Sequence, residues 1–270
     1  MSDRKNWLPS VSTCWRPDNF PEMFRALVRE DIHHIELSGG RTTFWDELDF
    51  VHQNKKVVQD INGYDIEIAS MHLPFCPFKE IDPTIGDPEQ RQKIIAYQGE
   101  LLRAGADAGI PIAVLHPSGE HYNAFERGDR MKCAIETLHA LADIAVENGI
   151  KLAIENLPRT CLGNIHEEMT LMLNEVPSLF ACFDTNHSLR QPNPDLVRAM
   201  GSRIITIHAS DYDMIDERHL LPFLGRNDWH EIMAALEEVG YDGYFTFEVG
   251  SKGVLPEKAL RMSYDKLMEI

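Results

Sequence analysis

The sequence lacks the paired cysteines and the long apolar runs that mark secreted and membrane-bound chains. Its five cysteines are scattered and form no CxxC pair: Cys14, Cys76, Cys133, Cys161 and Cys182. This pattern disfavours a disulfide framework or a cysteine-rich zinc site and is typical of reduced thiols in a cytosolic protein. No apolar run reaches the ~20 residues that a membrane-spanning helix needs. The first residues are polar, so we expect neither a signal peptide nor a membrane partner, and a cytoplasmic location.

Positive charge is also scarce. The chain has 43 Asp and Glu residues against 26 Lys and Arg residues, which gives a formal net charge of −17. Proteins bind nucleic acids mainly through Lys and Arg contacts to phosphates. The charge balance therefore disfavours a nucleic-acid partner, although it does not exclude one. A metal ion, or a small neutral or cationic substrate, is the easier partner for such a chain.

Apolar runs of strand length alternate with helical patterns along the whole chain. The predicted strands are 8–14, 33–37, 67–72, 112–116, 151–155, 179–184, 204–208 and 243–248. Gly109, Gly149 and Gly240 each follow a helical pattern, where a left-handed C-cap favours glycine. Asp228 and Glu231 have the spacing of a capping box. Eight strand–helix units without a linker predict a single α/β domain over residues 1–270, a (β/α)8 TIM barrel. The longest irregular segment, 75–88, is expected to be a loop over the barrel mouth.

Most of the predicted strands end on an ionisable residue. These residues are Glu36, His72, His116, Glu155, Asp184, His208 and Glu248, and His187 lies one helical turn beyond Asp184. In a closed barrel the strand ends converge on one face, where the active sites of such barrels are built. Converging carboxylates and imidazoles need a compensating charge, and a divalent cation is the simplest one. Mixed Asp, Glu and His ligands suit Mn²⁺, Zn²⁺, Co²⁺ or Mg²⁺.

The strand-end residues differ in how strongly they indicate a metal ligand. Four separate strands deliver ligand-type residues to one rim, and these are interpreted as the metal ligands: Glu155, Asp184, His208 and Glu248. For His72 and His116 three roles stay open, namely metal ligand, substrate contact, and hydrogen bonding that only stabilises the mouth, with substrate contact favoured. Glu36 is interpreted as a helix cap or a solvated loop residue, as a lone polar residue after a strand usually is.

Several segments resemble the sugar-phosphate isomerase/epimerase superfamily, the xylose-isomerase-like barrels. They are Ala153–Asn156, Phe183–His187, Ile207–His208 and the stretch from Trp229 to Glu248. The resemblance covers nearly the whole chain and is specific for the superfamily, not for a substrate. Members include ketose 3-epimerases, hydroxypyruvate isomerase, inosose isomerases and dehydratases, and the endonuclease IV type of DNA-repair enzyme.

The resemblance to the ketose 3-epimerases implies a division of roles and a metal-dependent isomerase or epimerase of a sugar, sugar phosphate or hydroxyketone. The four predicted ligands would hold one divalent ion, Mn²⁺ by preference. His187 and Arg218 would bind substrate oxygens, and His219 is grouped with them. Glu155 and Glu248 would also transfer protons. The ion would acidify a carbon beside a carbonyl by stabilising an enediolate, and a carboxylate on each face can remove and return a proton.

Two alternatives stay open. The endonuclease IV type has a three-metal site that also uses histidines matching His72, His116, His187 and His219, but its Asp-x-His motif reads Glu217-Arg218-His219 here. The sequence also has no basic, aromatic-interleaved segment for gripping a strand. The third alternative, a non-catalytic sugar-binding barrel, is disfavoured because both candidate proton-transfer carboxylates are present. The Pro-Gly-x-Gly loop of the epimerases reads 222–225 Pro-Phe-Leu-Gly here, so the substrate is left open. Whether the chain forms a homo-oligomer also stays open.

Overall fold

Eight parallel strands close into a barrel in chain order. The structure is a computed structural model that describes residues 7–14, 19–38, 42–120, 127–250 and 257–270. The strands are β1 Leu8–Ser12, β2 His34–Ser38, β3 Glu67–His72, β4 Ile112–Leu115, β5 Lys151–Glu155, β6 Phe180–Asp184, β7 Ile204–Ala209 and β8 Tyr244–Phe247. β1 pairs with both β2 and β8, which closes the sheet on itself. The predicted TIM barrel is confirmed.

Helices surround the barrel and connect successive strands. They are α1 Phe20–Arg29, α2 Thr42–Glu47, α3 Phe50–Asn62, α4 Phe78–Ile81, α5 Pro88–Asp107, α6 Arg127–Asn148, α7 His166–Glu175, α8 Asn193–Met200, α9 Trp229–Glu238 and α10 Glu257–Glu269. The short helix α4 corrects the sequence interpretation, which left the whole of 75–88 irregular. Among the described residues, no helix is both long enough and apolar enough to cross a membrane.

The helix ends follow local sequence rules. Gly109, Gly149 and Gly240 have φ angles of 84°, 73° and 72°, which glycine adopts without the steric penalty of a side chain. The Asp228 carboxylate accepts a hydrogen bond from the Glu231 backbone N–H at 3.1 Å and caps α9. These glycines turn the chain into β4, β5 and β8 at one face of the barrel. The polar strand ends therefore collect at the opposite face.

Two kinds of interior fill the molecule. Between strands and helices lies the main apolar core, which includes the fully buried side chains of Trp7, Phe183 and Phe245. Inside the barrel, a smaller apolar cluster consists of Ile112, Val114, Ala153 and Cys182. Side chains alternate along a strand, so residues two positions before the predicted site residues face the same interior. That rule places the apolar cluster directly below the strand ends of β4, β5 and β6.

Candidate metal centre

Four buried side chains from four strands meet at the polar face of the barrel. Glu155 ends β5, Asp184 ends β6, His208 lies near the end of β7, and Glu248 follows β8 directly. Each offers one ligand atom, and the four atoms all lie within 4.8 Å of one another. Ligand atoms ~2.0–2.2 Å from a common ion are at most about 4.4 Å apart. The spacing therefore fits one divalent ion after a small adjustment of the side chains.

The histidine of this group is surrounded by carboxylates. His208 Nδ1 lies 3.1 Å from Glu155 Oε1, 3.3 Å from Glu248 Oε2 and 3.9 Å from Asp184 Oδ2. Burial would lower the pKa of His208, but the neighbouring negative groups, Glu36 and Glu155 among them, raise it well above its ordinary value. A cation at this point, either a proton or a metal ion, compensates the three carboxylates.

Asp184 provides the clearest test of whether these residues fit a metal ion. Its Oδ1 accepts a hydrogen bond from the Asn186 N–H at 2.5 Å, whereas its buried Oδ2 has no hydrogen-bond donor in the described part of the chain. Burial raises the pKa of Asp184, and Glu155 and Glu248 add to this against the opposing effect of His187, so that it reaches about 7. A buried carboxylate oxygen without a donor is costly. A divalent ion would satisfy it, so the donor set fits such an ion.

Glu155 and Glu248, the two remaining carboxylates, have lowered pKa values, whereas the pKa of Asp184 is raised. Burial alone would raise the pKa of Glu155, but His208 and His116 reverse the shift and hold it well below the ordinary value. Burial likewise opposes ionisation of Glu248, and His208 again outweighs it, so the pKa of Glu248 is lowered. Both side chains are therefore carboxylates at neutral pH, which is the form that a metal ligand or a general base requires.

Glu36 corrects the sequence interpretation. It is fully buried and is neither a helix cap nor a solvated loop residue. Ser12 Oγ donates to Glu36 Oε1 at 3.0 Å, Ser70 Oγ donates to Oε2 at 2.9 Å, and His208 Nε2 lies 3.0 Å from the same Oε2. Glu36 is thus part of the site, and its place in the second strand, one residue before the end of the predicted range 33–37, was the available signal.

His72 and His116 both approach Glu155. Their Nε2 atoms each lie 3.2 Å from Glu155 Oε2, and the three residues form a second group with metal-ligand geometry. His72 is buried and donates from Nδ1 to the Leu73 carbonyl at 2.8 Å. His116 borders the cavity above the metal centre and stacks on Phe75, with ring centroids 4.4 Å apart. A substrate contact therefore suits His116 better than His72.

His187 and His219 form a third group with Glu217. His187 Nδ1 donates to the Asn156 carbonyl at 2.9 Å, and His219 Nδ1 donates to the Glu248 carbonyl at 3.1 Å. These bonds orient both rings, and the Nε2 atoms lie 3.8 Å and 3.9 Å from the Glu217 carboxylate. Burial lowers the pKa of His187, but Asp184 and Glu155 outweigh it and raise it to about 10. Both histidines border the cavity, and their role as substrate contacts stays a prediction.

Arg218 lies apart from these groups. Its Nε donates to Asp213 Oδ2 at 2.6 Å, its side chain is 46% exposed, and it is not among the residues that line the cavity. The arginine that does line the cavity is Arg159, which the sequence interpretation missed. Arg159 pairs with Glu120, with Asp216 at 2.9 Å and with Glu217 at 3.0 Å. Its position four residues after Glu155, just beyond a strand end, was the available signal.

The described residues enclose a cavity of about 200 Å³ that the predicted ligands Glu155 and Glu248 border. Of the four predicted ligands, Glu155 and Glu248 line it, whereas Asp184 and His208 are fully buried. Phe75, Phe78 and Leu157 contribute an apolar part of the wall. Pockets for drug-sized ligands occupy ~300–1,000 Å³. This volume suits a smaller molecule that has polar groups on one side and exposed C–H groups on the other.

The sequence of this chain is similar to those of a known protein family and of individual proteins. Residues 19–269 match the family of xylose isomerase-like TIM barrels. An uncharacterised protein of Methanocaldococcus jannaschii is 26% identical over 223 residues, which are 76% of this chain and 74% of that protein. An L-ribulose 3-epimerase of Methylomonas sp. (strain DH-1) is 30% identical over 192 residues, which are 66% of this chain and 63% of that enzyme.

A solved structure shows the same fold over nearly the full length. The structure of a D-tagatose 3-epimerase-like protein superposes with a TM-score of 0.82 at 20% identity, and the match covers 96% of both chains. The resemblance drawn from the strand-end segments is confirmed by the family match to residues 19–269. The chain belongs to the xylose isomerase-like TIM barrel family.

Proposed function

We propose that this chain is a divalent-metal-dependent sugar isomerase or epimerase that moves a proton at a carbon next to a carbonyl. One observation carries the proposal: Glu155 and Glu248 belong to the four-ligand group and also line the cavity. β5 and β8 are not neighbours in the barrel, so the two carboxylates approach the cavity from different strands. Two bases placed in this way suit removal of a proton by one and its return by the other.

The roles of the side chains follow from their placement. A bound divalent ion, Mn²⁺ by preference, with Zn²⁺, Co²⁺ or Mg²⁺ as alternatives, would polarise a carbonyl and an adjacent hydroxyl group and acidify the neighbouring carbon. Glu155 and Glu248 have lowered pKa values and accept the proton as carboxylates. His116, His187 and His219 border the cavity and would bind substrate hydroxyl groups.

The substrate class is proposed from the cavity and from the relatives. Phe75 and Phe78 line the cavity and would cover the C–H face of a carbohydrate, while the histidines would bind its hydroxyl groups. The named relative is an L-ribulose 3-epimerase, and the superposed structure is of a D-tagatose 3-epimerase-like protein. Ketoses are therefore the first substrates to examine, and the cavity volume of about 200 Å³ suits a single sugar unit.

The test is proton exchange with solvent. The metal-loaded chain is incubated with L-ribulose or D-tagatose in D₂O, and the sugars are analysed by NMR and mass spectrometry after removal of the metal. We expect deuterium at the reacting carbon of substrate and product. Glu155→Gln and Glu248→Gln are examined beside the wild type, with the metal content of each measured. A Gln variant that folds, keeps its metal and turns over at the wild-type rate would show that the carboxylate is not the base.

A second candidate function, phosphodiester hydrolysis of the endonuclease IV type, is favoured by one observation. Four groups of metal-type ligands occur among the described residues, and three of them share Glu155: His72–His116–Glu155, Glu155–Asp184–His208–Glu248, Glu155–Cys182–His208, and His187–Glu217–His219. Against it stand the small cavity and its acidic rim, where Arg159 is already paired with carboxylates. DNA binding depends on free cationic groups near phosphates.

Metal stoichiometry and a nuclease assay separate the two candidates. We expect one tightly held divalent ion per chain and no incision of duplex DNA with an abasic site at low salt, where electrostatic binding is strongest. Three tightly held zinc ions together with efficient, metal-dependent incision would favour the endonuclease. Sugar binding without deuterium exchange, in a chain that holds its metal, would instead indicate a non-catalytic sugar-binding barrel.

A further inference from the structure

Glu36 is a fully buried carboxylate that belongs to none of the groups of potential metal ligands. It nevertheless contacts one of them, because His208 Nε2 lies 3.0 Å from Glu36 Oε2. A buried negative charge is costly unless hydrogen bonds stabilise it. Such a group in the middle of a barrel needs a functional or structural reason.

Three adjacent strands hold the Glu36 carboxylate in one orientation. Ser12 on β1 pairs with Glu36 in the sheet register, and Ser70 on β3 pairs with it from the other side. The register between β2 and β3 shifts between Ile35 and Glu36, which brings Ser70 opposite Glu36. Bulges of this kind often re-aim side chains near functional sites. Ser12 then donates to Oε1 and Ser70 to Oε2, so both oxygens are oriented.

The His208 ring faces carboxylates on both sides. Nδ1 points to Glu155 and Glu248, which line the cavity, and Nε2 points to Glu36. A neutral imidazole carries one N–H, and a nitrogen that ligates a metal must present its lone pair. If Nδ1 ligates, the N–H is on Nε2, where Glu36 Oε2 is the acceptor. Carboxylates paired in this way with ligating histidines fix the tautomer and raise the basicity of the ligand.

We propose that Glu36 is the positioning residue of the metal centre: it accepts the His208 Nε2–H and thereby presents His208 Nδ1 to the ion. This inference rests on the proposed function only in that the four-ligand group binds a divalent ion. Glu36 does not line the cavity and belongs to none of the ligand groups. Ser12 and Ser70 complete the arrangement by donating hydrogen bonds to its two carboxylate oxygens.

The first experiment measures metal affinity in Glu36→Gln by competition with a chromophoric chelator, using Zn²⁺ and Mn²⁺. Glutamine keeps the size of the side chain, and the serine hydroxyl groups can rotate to match the amide. The amide oxygen can still accept the Nε2–H but carries no charge, so it orients His208 without raising the basicity of the ring. We therefore expect the affinity to fall about 10-fold, the lower end of the usual effect of changing such a partner. The thermal midpoint of unfolding in excess chelator is measured in parallel. A lower midpoint with unchanged metal affinity would mean that Glu36 is only structural, and would overturn the inference.

Thr206→Val is the matched control. Thr206 lies two residues before His208 on the same strand, is fully buried, and its hydroxyl group has no hydrogen-bond partner among the described residues. Valine has nearly the same shape. We expect this variant to bind metal like the wild type, because neither His208 nor Glu36 loses a partner. A loss of affinity equal to that of Glu36→Gln would mean that any change on this strand disturbs the ligands, and would count against a specific role for Glu36.

A second measurement needs no variant, and therefore holds even if Glu36→Gln does not fold. A crystal structure of the wild-type chain loaded with Zn²⁺ is expected to show His208 Nδ1 as the ligand atom and Nε2 within hydrogen-bond distance of Glu36. Ligation through Nε2, or a Glu36 carboxylate turned away from His208, would overturn the inference. A wild-type chain that binds no divalent ion would overturn the proposed function as well. Metal binding through His208 Nε2 would overturn only the inference about Glu36 and would not contradict the proposed function.

Discussion

The barrel interior below the candidate metal centre has two halves of opposite character. Under β4, β5 and β6 it is apolar and contains Val114, Ala153 and Cys182. Under the other strands it is polar and contains the fully buried Ser10, Ser70, Thr206 and Thr246. The carboxylate ligands Glu155 and Asp184 stand above the apolar half, whereas His208 and the third carboxylate, Glu248, stand above the polar half. A carboxylate can ligate through either oxygen, whereas an imidazole also needs an acceptor for its second nitrogen, and for His208 this acceptor lies on the polar half.

Asp184 stands above the apolar half, and one of its carboxylate oxygens, Oδ2, lacks a hydrogen-bond partner among the described residues. Burial raises the pKa of Asp184 to about 7. On the polar half, the Glu36 carboxylate accepts hydrogen bonds from Ser12 and Ser70. Above the apolar half, Asp184 therefore has an oxygen that a positive charge would stabilise. On the polar half, Glu36 orients His208 toward the same point. Three predictions examine this division.

The largest expected effect is the loss of metal binding in Asp184→Asn. The variant removes the one ligand whose second oxygen has no other donor in the described chain, so we expect the affinity for Zn²⁺ and Mn²⁺ to fall at least ~100-fold, or about 2.7 kcal/mol. Chelator competition measures it. Asp195→Asn, an exposed aspartate on α8, is the matched control and should bind like the wild type. Full metal binding by Asp184→Asn would show that the unpartnered oxygen has no connection with a cation.

The second prediction compares the two halves by exchanging a methyl group and a hydroxyl group. Val114→Thr puts a hydroxyl group into the apolar half, where burial without a donor or acceptor costs about 1–3 kcal/mol. At roughly 2–4 °C per kcal/mol, the thermal midpoint should fall by several degrees. The reverse change, Thr206→Val, removes a hydroxyl group that makes no hydrogen bond in the described chain. By the same reasoning it should relieve the cost of an unsatisfied buried hydroxyl group and raise the free energy of unfolding, by up to about 1–3 kcal/mol.

If the two exchanges destabilise equally, the two halves do not differ in polarity and the comparison fails. Differential scanning calorimetry in excess chelator measures both variants, so that metal binding does not contribute to the midpoint. The wild type and both variants are compared at the same pH, because buried ionisable groups lie directly above the exchanged positions.

The third prediction is a pH dependence of the metal-free protein. The pKa of Asp184 is about 7 in the folded chain, against about 3.9 for an unfolded aspartate. A raised pKa means that the folded state binds the proton more tightly. This stabilisation is complete below pH 3.9 and is lost as the pH rises through 7. His187, whose pKa is raised to about 10, loses its contribution in the same direction above pH 6.5.

Thermal unfolding in chelator at pH 5 and pH 8 measures this dependence. We expect the midpoint of the wild type to fall more between the two values than that of Asp184→Asn, which has no carboxylate to titrate and leaves His187 with a weaker partner. With metal present, the midpoint of the wild type should fall less between the two pH values than that of Asp184→Asn. The reason is that the ion competes with the proton and binds more tightly as the pH rises. Equal slopes for the two proteins in chelator would mean that Asp184 titrates normally.

Much of the fold was predictable because it depends on local patterns. All eight predicted strands agree with the structure to within two residues at each end, and the three glycines end their helices as expected. The four-ligand group was also predictable, since parallel strands that close into a barrel bring their ends to one face. The predicted irregular segment 75–88 was wrong in part, because α4 forms within it. That helix has four residues, too few for helical periodicity to be recognised.

The sequence by itself determined which residue types reach the polar face, because a strand end is a local feature and the barrel closes in chain order. Tertiary structure alone decided which of these residues act together. The partners of Glu36 lie 24, 34 and 172 residues away, so the strand end could not show that it pairs with His208. Arg218 turns to Asp213, five residues away, while Arg159 faces the cavity. The direction of a side chain depends on register, loop conformation and competing partners, which only the folded chain brings together.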